Sequence, residues 1–241
     1  MDDKIQALSK KERYTFDDLR DVMEILRSEQ GCPWDREQTH LSIRENLIEE
    51  AYEVIEGIDN ADRELLKEEL GDVLFQIMFH SRIEEEQNSF SIDEVIDGIS
   101  RKMVHRHPHI FADRHLETSS EVLDAWDKIK AEEKSRLSLS DKLHSIPRQF
   151  PALIRAEKVA EKAIKAKVIT TAENEALAIA LKQIDALKFS NDPTEREKIL
   201  GEALFALSVY AERSSLSAER ALTYRIDRLL ETIKSDENIE K

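Results

Sequence analysis

Glu49-Glu50-Ala51-Tyr52-Glu53, followed after fifteen residues by Glu69-Leu70-Gly71-Asp72, decides how this chain is read. Both runs sit in sequence of helical period. Leu47, Ile48, Ala51, Tyr52, Val54, Ile55 and Ile58 supply the apolar side of the first helix. Leu65, Leu66, Leu70, Val73, Leu74, Ile77 and Met78 supply it for the second. Glu50 and Glu53 are three apart, as are Glu69 and Asp72, so each pair shares a helical face. If the two helices pack antiparallel through the Asp59-Asn60-Ala61 turn, four carboxylates converge at one level. Converged carboxylates repel one another and are costly to desolvate, so such a cluster is stable mainly around a cation. Oxygen donors without sulfur or paired imidazole favour Mg²⁺ or Mn²⁺ over zinc or iron.

The competing reading is of solvated carboxylates on amphipathic helices, natural in a chain with 51 acidic residues. Glu64, Glu68, Glu84, Glu85 and Glu86 are read that way. Glu49, Glu50 and Glu53 differ in being interleaved with apolar residues. Gly71 stands in a helix interior, where Gly costs about 1 kcal/mol relative to Ala. That cost suggests a close approach to the backbone there.

The 241 residues suit one large domain or two small ones. Charged residues make up 36% and aromatics 6%, with five Gly and five Pro, which points to an all-α soluble protein. A net charge of −15 speaks against nucleic acid as a partner, though not against a nucleotide, since a metal ion can reverse the sign of a small site. Lone Cys32 rules out an intramolecular disulfide and fits a reducing cytoplasm; no base stands beside it, and it reads as a structural thiol. Met1 to Arg13 has no signal-peptide core and reads as frayed. No apolar run is long enough to cross a bilayer, so the expected location is cytoplasmic, with no membrane partner.

Along the chain, Thr15 caps a helix carrying Leu19, Val22, Met23 and Leu26, which Gly31-Cys32-Pro33-Trp34-Asp35 breaks. Ser42-Ile43-Arg44-Glu45 has capping-box spacing before the first acidic helix, and Asp62 caps the second, which runs to about Glu86. Ser91-Ile92-Asp93-Glu94 opens a further helix that ends in a His107-Pro108-His109 loop, and another begins after Ser119 or Ser120. The segment 136–151 reads as a linker between residues 1–135 and 152–241. Helical stretches follow at roughly 152–166, 172–189, 194–213 and 217–234. The two halves echo each other: Leu70-Gly71-Asp72-Val73-Leu74-Phe75 against Leu200-Gly201-Glu202-Ala203-Leu204-Phe205. In the echo Ile199 takes the place of Glu69, Glu202 that of Asp72, and Lys182-Gln183-Ile184-Asp185-Ala186 the approximate place of the first acidic run. Such a set cannot make an anionic cage, and the second copy reads as structural or regulatory.

Lys102 and Arg106 share a face on the helix after the acidic pair. Alone they are a solvated basic pair; beside a carboxylate–metal site they are what a polyphosphate requires. Trp34 and Trp126 read first as core or interface residues. Trp126, with Lys130 four residues on, is the better candidate to stack on a base. The three His of residues 105–109 fit a helix-ending loop better than a metal cluster. Glu37-Gln38-Thr39-His40 is a lone Glu-x-x-His, where a di-iron bundle needs two.

The acidic motifs, with Gly31-Cys32-Pro33-Trp34-Asp35-x-x-Gln38-Thr39-His40, Arg106-His107-Pro108-His109-Ile110-Phe111, Val122-x-x-x-Trp126-x-x-Ile129-Lys130 and Ile146-Pro147-Arg148-x-x-Pro151-Ala152-Leu153, resemble the MazG family of nucleoside triphosphate pyrophosphohydrolases. The resemblance is close from about Leu19 to Lys165. It implies two tandem MazG-like helical units, with four-helix character completed in a homodimer. It implies Mg²⁺-dependent hydrolysis of (d)NTPs to (d)NMP and pyrophosphate. By match to the motif, Glu50, Glu53, Glu69 and Asp72 would hold the metal and Glu49 would orient or deprotonate the water. Lys102 and Arg106 would bind phosphate and assist catalysis, and Trp126 with Lys130 would contact the base. The second unit departs from the pattern, its cation positions falling on Arg228 and Thr232. This leaves open a catalytically weak or inactive nucleotide-binding regulator, and more weakly a di-iron bundle.

Overall fold

A computed structural model of the chain describes residues 2–113, 115–133 and 138–239, and all regular structure among them is helical. The chain divides into two compact units, Met1–Asp127 and Lys128–Lys241. The boundary expected at 135–136 lies outside the described residues.

The first unit begins with α1 (Asp2–Ser9) and α2 (Phe16–Leu26). Thr15 and Asp18 form the capping box of α2. The Lys11 ammonium, together with the Thr15 hydroxyl and amide, lowers the Asp18 carboxyl to about 2. The N-terminal arm is therefore not frayed. Leu8 is buried, the Tyr14 hydroxyl donates to its carbonyl, and Lys4 pairs with Asp21 and Glu24 on α2.

After α2 the chain reverses at Gly31, where a Cβ would collide with the carbonyls of Ile25 and Leu26. Pro33 then opens a short helix, α3 (Pro33–Glu37), where the sequence suggested only a break.

α4 (Arg44–Asp59) and α5 (Arg63–Glu86) form the central hairpin. Its turn passes through Ala61 in the left-handed region at φ 52°, and the Asp62 carboxylate accepts from the amides of Glu64 and Leu65 to cap α5. Ser42 does not cap α4. Ile43 holds that position without a side-chain bond, because the Ser42 hydroxyl is already engaged with Gln38 and Thr39 in the preceding turn.

Ser91 and Glu94 form the expected capping box of α6 (Ile92–Arg106). Pro108 starts a helical turn, α7 (Pro108–Phe111), instead of a loop, and α8 (Ser119–Glu133) follows. Met23, Ile43, Met78, Phe79, Ile83 and Ile92 make the core, joining α2, α5 and α6. The Arg27 guanidinium lies 5.2 Å over the Phe79 ring. It bonds Glu86 and the carbonyls of Asp35 and Gln38, tying the segment after α2 to α5.

The second unit holds α9 (Leu139–His144), α10 (Ala152–Lys165), α11 (Glu173–Ala186), α12 (Pro193–Arg213) and α13 (Ala218–Ile239). α9 lies in the stretch read as linker. It is capped by Ser138, followed by buried Ile146, and held to α10 by a 2.8 Å bond from Lys162 Nζ to the Lys142 carbonyl. The internal echo is a repeat of structure. Asp192 caps α12 as Asp62 caps α5, and Ala206, Ser208, Val209 and Ala211 are buried at the offsets of Gln76, Met78, Phe79 and Ser81. No helix among the described residues is long and apolar enough to cross a membrane.

The close approach expected at Gly71 occurs elsewhere. A Cβ at Gly71 or Gly201 would meet nothing within 4 Å, whereas one at Gly57 would stand 2.8 Å from the Leu66 nitrogen and 3.0 Å from its Cα. Gly57 is what lets α4 and α5 close on each other near the turn. Replacing Gly57 with Ala gains helix propensity but overpacks the hairpin, at a net cost of about 1–2 kcal/mol. The expected result is a lower urea midpoint for Gly57→Ala; an unchanged or higher midpoint would show slack in that contact.

Candidate metal centre

An antiparallel hairpin brings to one level residues equally distant from its turn. Counted from Ala61, Glu53 and Glu69 stand eight residues away on either side, and Glu50 and Asp72 eleven. The structure follows this spacing. One carboxylate oxygen from each of Glu50, Glu69 and Asp72 lies within 4.8 Å of the others. Glu53 lies next to them, acting on Glu50 and Glu69 through both hydrogen bonding and charge. Glu69 is buried at 7% exposure, Glu50 and Glu53 are half-buried, and Asp72 and Glu49 are exposed.

Burial raises the Glu50 carboxyl above the ordinary value, followed by its hydrogen bond to Glu53 and the charges of Asp72, Glu53 and Glu49. Burial likewise raises Glu69, followed by Glu53, Asp72 and Glu50. Every charge named here is an acid; neither Lys102 nor Arg106 is among them. Four hard oxygen donors gathered without a cation among them fit a divalent cation of the Mg²⁺ or Mn²⁺ type. Glu50, Glu53, Glu69 and Asp72 are the residues that could hold it.

The other expected site residues lie farther along the chain. Lys102 is exposed and Arg106 buried on α6, which packs against α5. Trp126 is half-buried on α8, its ring centred 5.5 Å from that of His107 at an interplanar angle of 52°. Lys130 belongs to the second unit. Trp34 is no core residue of this chain, being 60% exposed.

Glu84 departs from its reading as a solvated acid: His40 Nε2 lies 2.6 Å from its Oε1, and His40 Nδ1 lies 2.7 Å from His80 Nδ1. Sequence reasoning missed this cluster and the buried guanidinium of Arg27. The four-residue spacing of His80 and Glu84 on α5 was the one available signal.

A profile of the MazG nucleotide pyrophosphohydrolase domain matches residues 38–111, which contain the α4–α5 hairpin, α6 and α7. A Thermotoga maritima protein named nucleoside triphosphate pyrophosphohydrolase/pyrophosphatase MazG is 36% identical over 227 residues, 94% of this chain and 87% of that one. The chain belongs to the MazG family. An Escherichia coli K12 protein of this family, named nucleoside triphosphate pyrophosphohydrolase, is 37% identical over 213 residues, covering 86% of this chain and 81% of that one. The uncharacterized protein YabN of Bacillus subtilis is 46% identical over 146 residues, which make up 61% of this chain but 30% of that longer protein. The MazG resemblance of the motifs and the all-α architecture of the described residues agree with that membership.

A carboxyl raised in the folded state stabilises the fold when protonated. That contribution is present below the unfolded carboxylate value and lost as pH rises through the folded one. Metal-free protein should therefore be less stable than Glu69→Gln at about pH 7.5, with the gap closing toward about pH 4.5. Added Mg²⁺ should raise the melting temperature of the wild type and not of the variant. Differential scanning calorimetry with and without chelator checks both; a wild type indifferent to Mg²⁺ and Mn²⁺ would contradict the assignment.

Proposed function

We infer that this MazG-family chain is a pyrophosphohydrolase that cleaves nucleoside triphosphates between the α- and β-phosphates, yielding the monophosphate and pyrophosphate. The observation that carries the reading is the convergence of Glu50, Glu69 and Asp72 within 4.8 Å inside the matched domain. The names of the Thermotoga and Escherichia relatives support the same reaction.

Glu50, Glu53, Glu69 and Asp72 would hold the cation, Mg²⁺ with Mn²⁺ as substitute. When bound, it supplies positive charge to the triphosphate and lowers the pKa of a coordinated water. Glu49, exposed beside Glu50 on α4, would orient the attacking water and take its proton. The oxygen of that water bonds to the α-phosphorus as the bond to the bridging oxygen breaks, and pyrophosphate leaves with the electron pair. Lys102 and Arg106 on α6 would offset phosphate charge, and Trp126, with Lys130, would contact the base.

Catalysis belongs to the first unit on this reading. Ile199 and Glu202 stand where Glu69 and Asp72 stand in the first copy, and among the described residues the acidic cluster occurs once. The lone Cys32 fits a cytoplasmic enzyme. A homodimer is supported by apolar side chains left exposed on the hairpin, among them Ile48, Tyr52, Ile55 and Leu70, beside the open backbone of Gly71. A second copy of the hairpin would cover that face and complete four-helix packing.

Incubation of the pure protein with each (d)NTP and Mg²⁺ should release pyrophosphate, with Glu53→Gln and Asp72→Asn lowering kcat at least about a hundredfold while retaining the helical circular dichroism spectrum. Full turnover by either variant would place the chemistry elsewhere. Analytical ultracentrifugation should show a dimer for the wild type and a shift toward monomer for Ile55→Asp; a monomeric wild type would sink the dimer reading.

A further inference from the structure

A second titratable cluster lies at the end of the α4–α5 pair remote from the turn. His40, in the segment leading into α4, reaches two residues of α5. Its Nδ1 is 2.7 Å from Nδ1 of His80, its Nε2 is 2.6 Å from Oε1 of Glu84, and the two imidazoles stack 5.0 Å apart at 9°. Two ring nitrogens at hydrogen-bond distance share one proton: they cannot both carry one. Glu84 accepts from Nε2–H of His40. With His40 neutral, its Nδ1 must then be the acceptor and His80 Nδ1–H the donor, which leaves Nε2 of His80 without a hydrogen.

That nitrogen is buried with no partner, and so is Oε1 of Gln76, one turn earlier on the same face of α5. One added proton can be housed without a clash. His40 becomes the cation and donates to Glu84 and to His80 Nδ1, and His80 moves its own proton to the buried Nε2. A second added proton would set two N–H groups against each other across 2.7 Å. The cluster therefore accommodates one extra proton and no more.

The surrounding charges are already engaged. Arg27, just past α2, bonds Glu86 and the carbonyls of Asp35 and Gln38; Arg82 on α5 bonds Glu85 and Glu86. Arg44 at the start of α4 pairs with Glu45, and Asp93 on α6 with Arg20 of α2. Burial, with the nearby His40 as a second cause, holds His80 below its ordinary value. Hydrogen bonds from Ser89 and His40 hold Glu84 below its own.

We propose that His40, His80 and Glu84 are positioning residues for the hydrolytic site, clamping the 38–43 segment onto α5 and so fixing the height at which α4 presents Glu50 and Glu53 to Glu69 and Asp72. Near the turn α4 is held by the close contact of Gly57 with Leu66. At its other end its cap residue, Ile43, is buried in the core but makes no side-chain capping bond; direct side-chain bonds from the 38–43 segment to α5 come from His40, beside the Arg27 bridge between the Gln38 carbonyl and Glu86. The carboxylates lie between these two anchors, and a slip of one residue displaces them by about 1.5 Å. The inference rests on the reading that those carboxylates hold the cation.

Two measurements on the full-length protein test it. With ¹³C-labelled histidine, the His40 and His80 ring signals should respond together to the uptake of a single proton between about pH 8 and pH 5. Two independent titrations near the ordinary histidine value would overturn the shared proton. In kinetics, His80→Leu should raise the Mg²⁺ needed for half-maximal hydrolysis about tenfold, with a smaller change in kcat at saturating Mg²⁺. His80→Gln, whose amide can still donate to His40, should restore most of that affinity. An unchanged Mg²⁺ requirement in His80→Leu would overturn the positioning role. If His80→Leu does not fold, His80→Gln decides by its spectrum: His40 must there take up its proton alone, and a titration of His40 identical to the wild type would count against the pair. An inactive wild type would contradict the hydrolytic reading instead, leaving the histidine spectra to decide the shared proton.

Discussion

Mutual repulsion among the carboxylates of Glu50, Glu53, Glu69 and Asp72 is the constraint on which the first unit is built. The hairpin sets Glu53 opposite Glu69 and, one turn farther from Ala61, Glu50 opposite Asp72, and burial of Glu69 removes the water that would otherwise screen these acids. The core of Met23, Ile43, Met78, Phe79, Ile83 and Ile92 holds α5 against α2 and α6 despite that cost. The left-handed turn and the missing Cβ of Gly57 set the approach of α4 to α5 at one end. The raised Glu50 and Glu69 carboxyls reflect burial first and neighbouring acids second, a setting that a divalent cation would relieve.

The second unit shows the same hairpin without that constraint. Asp192 caps α12, and a buried stripe of Ala206, Ser208, Val209 and Ala211 repeats the α5 pattern with smaller side chains. At the level of the acidic site, Ile199 and Glu202 replace Glu69 and Asp72. Glu202 instead borders a cavity of about 190 Å³ lined mainly by apolar groups such as Ile169, Ile179 and Phe205. The unit's buried core centres on Ala160, Ala176 and Val209, with Ile164, Ile169, Phe205 and Tyr210 packed against them.

What was legible in the sequence was local. Helical spacing gave the faces of α4 and α5, and the short turn between them fixed which carboxylates meet. Capping boxes at Thr15 and Ser91 stand where the side-chain pattern puts them. Long-range bonding hid the rest. The polar N-terminal arm lacks an apolar stripe, yet Lys4 and Lys11 anchor it through acids of α2. Ser42 has the right spacing for a cap but spends its hydroxyl on Gln38 and Thr39. Within the chain the backbone contact that excludes a side chain is at Gly57, while Gly71 lies open beside exposed Leu70. His40 and His80 are forty residues apart, and no periodicity joins a pre-helix segment to the middle of another helix. The shared face of Lys102 and Arg106 could be read from spacing; the ligand they would meet could not.

The most direct test of the acidic cage is anomalous diffraction from crystals of the full-length protein grown or soaked in Mn²⁺. Peaks enclosed by the side chains of Glu50, Glu53, Glu69 and Asp72, and absent from the Glu69→Gln crystal, are the predicted result. Ordered carboxylates with no anomalous density between them at saturating Mn²⁺ would contradict it.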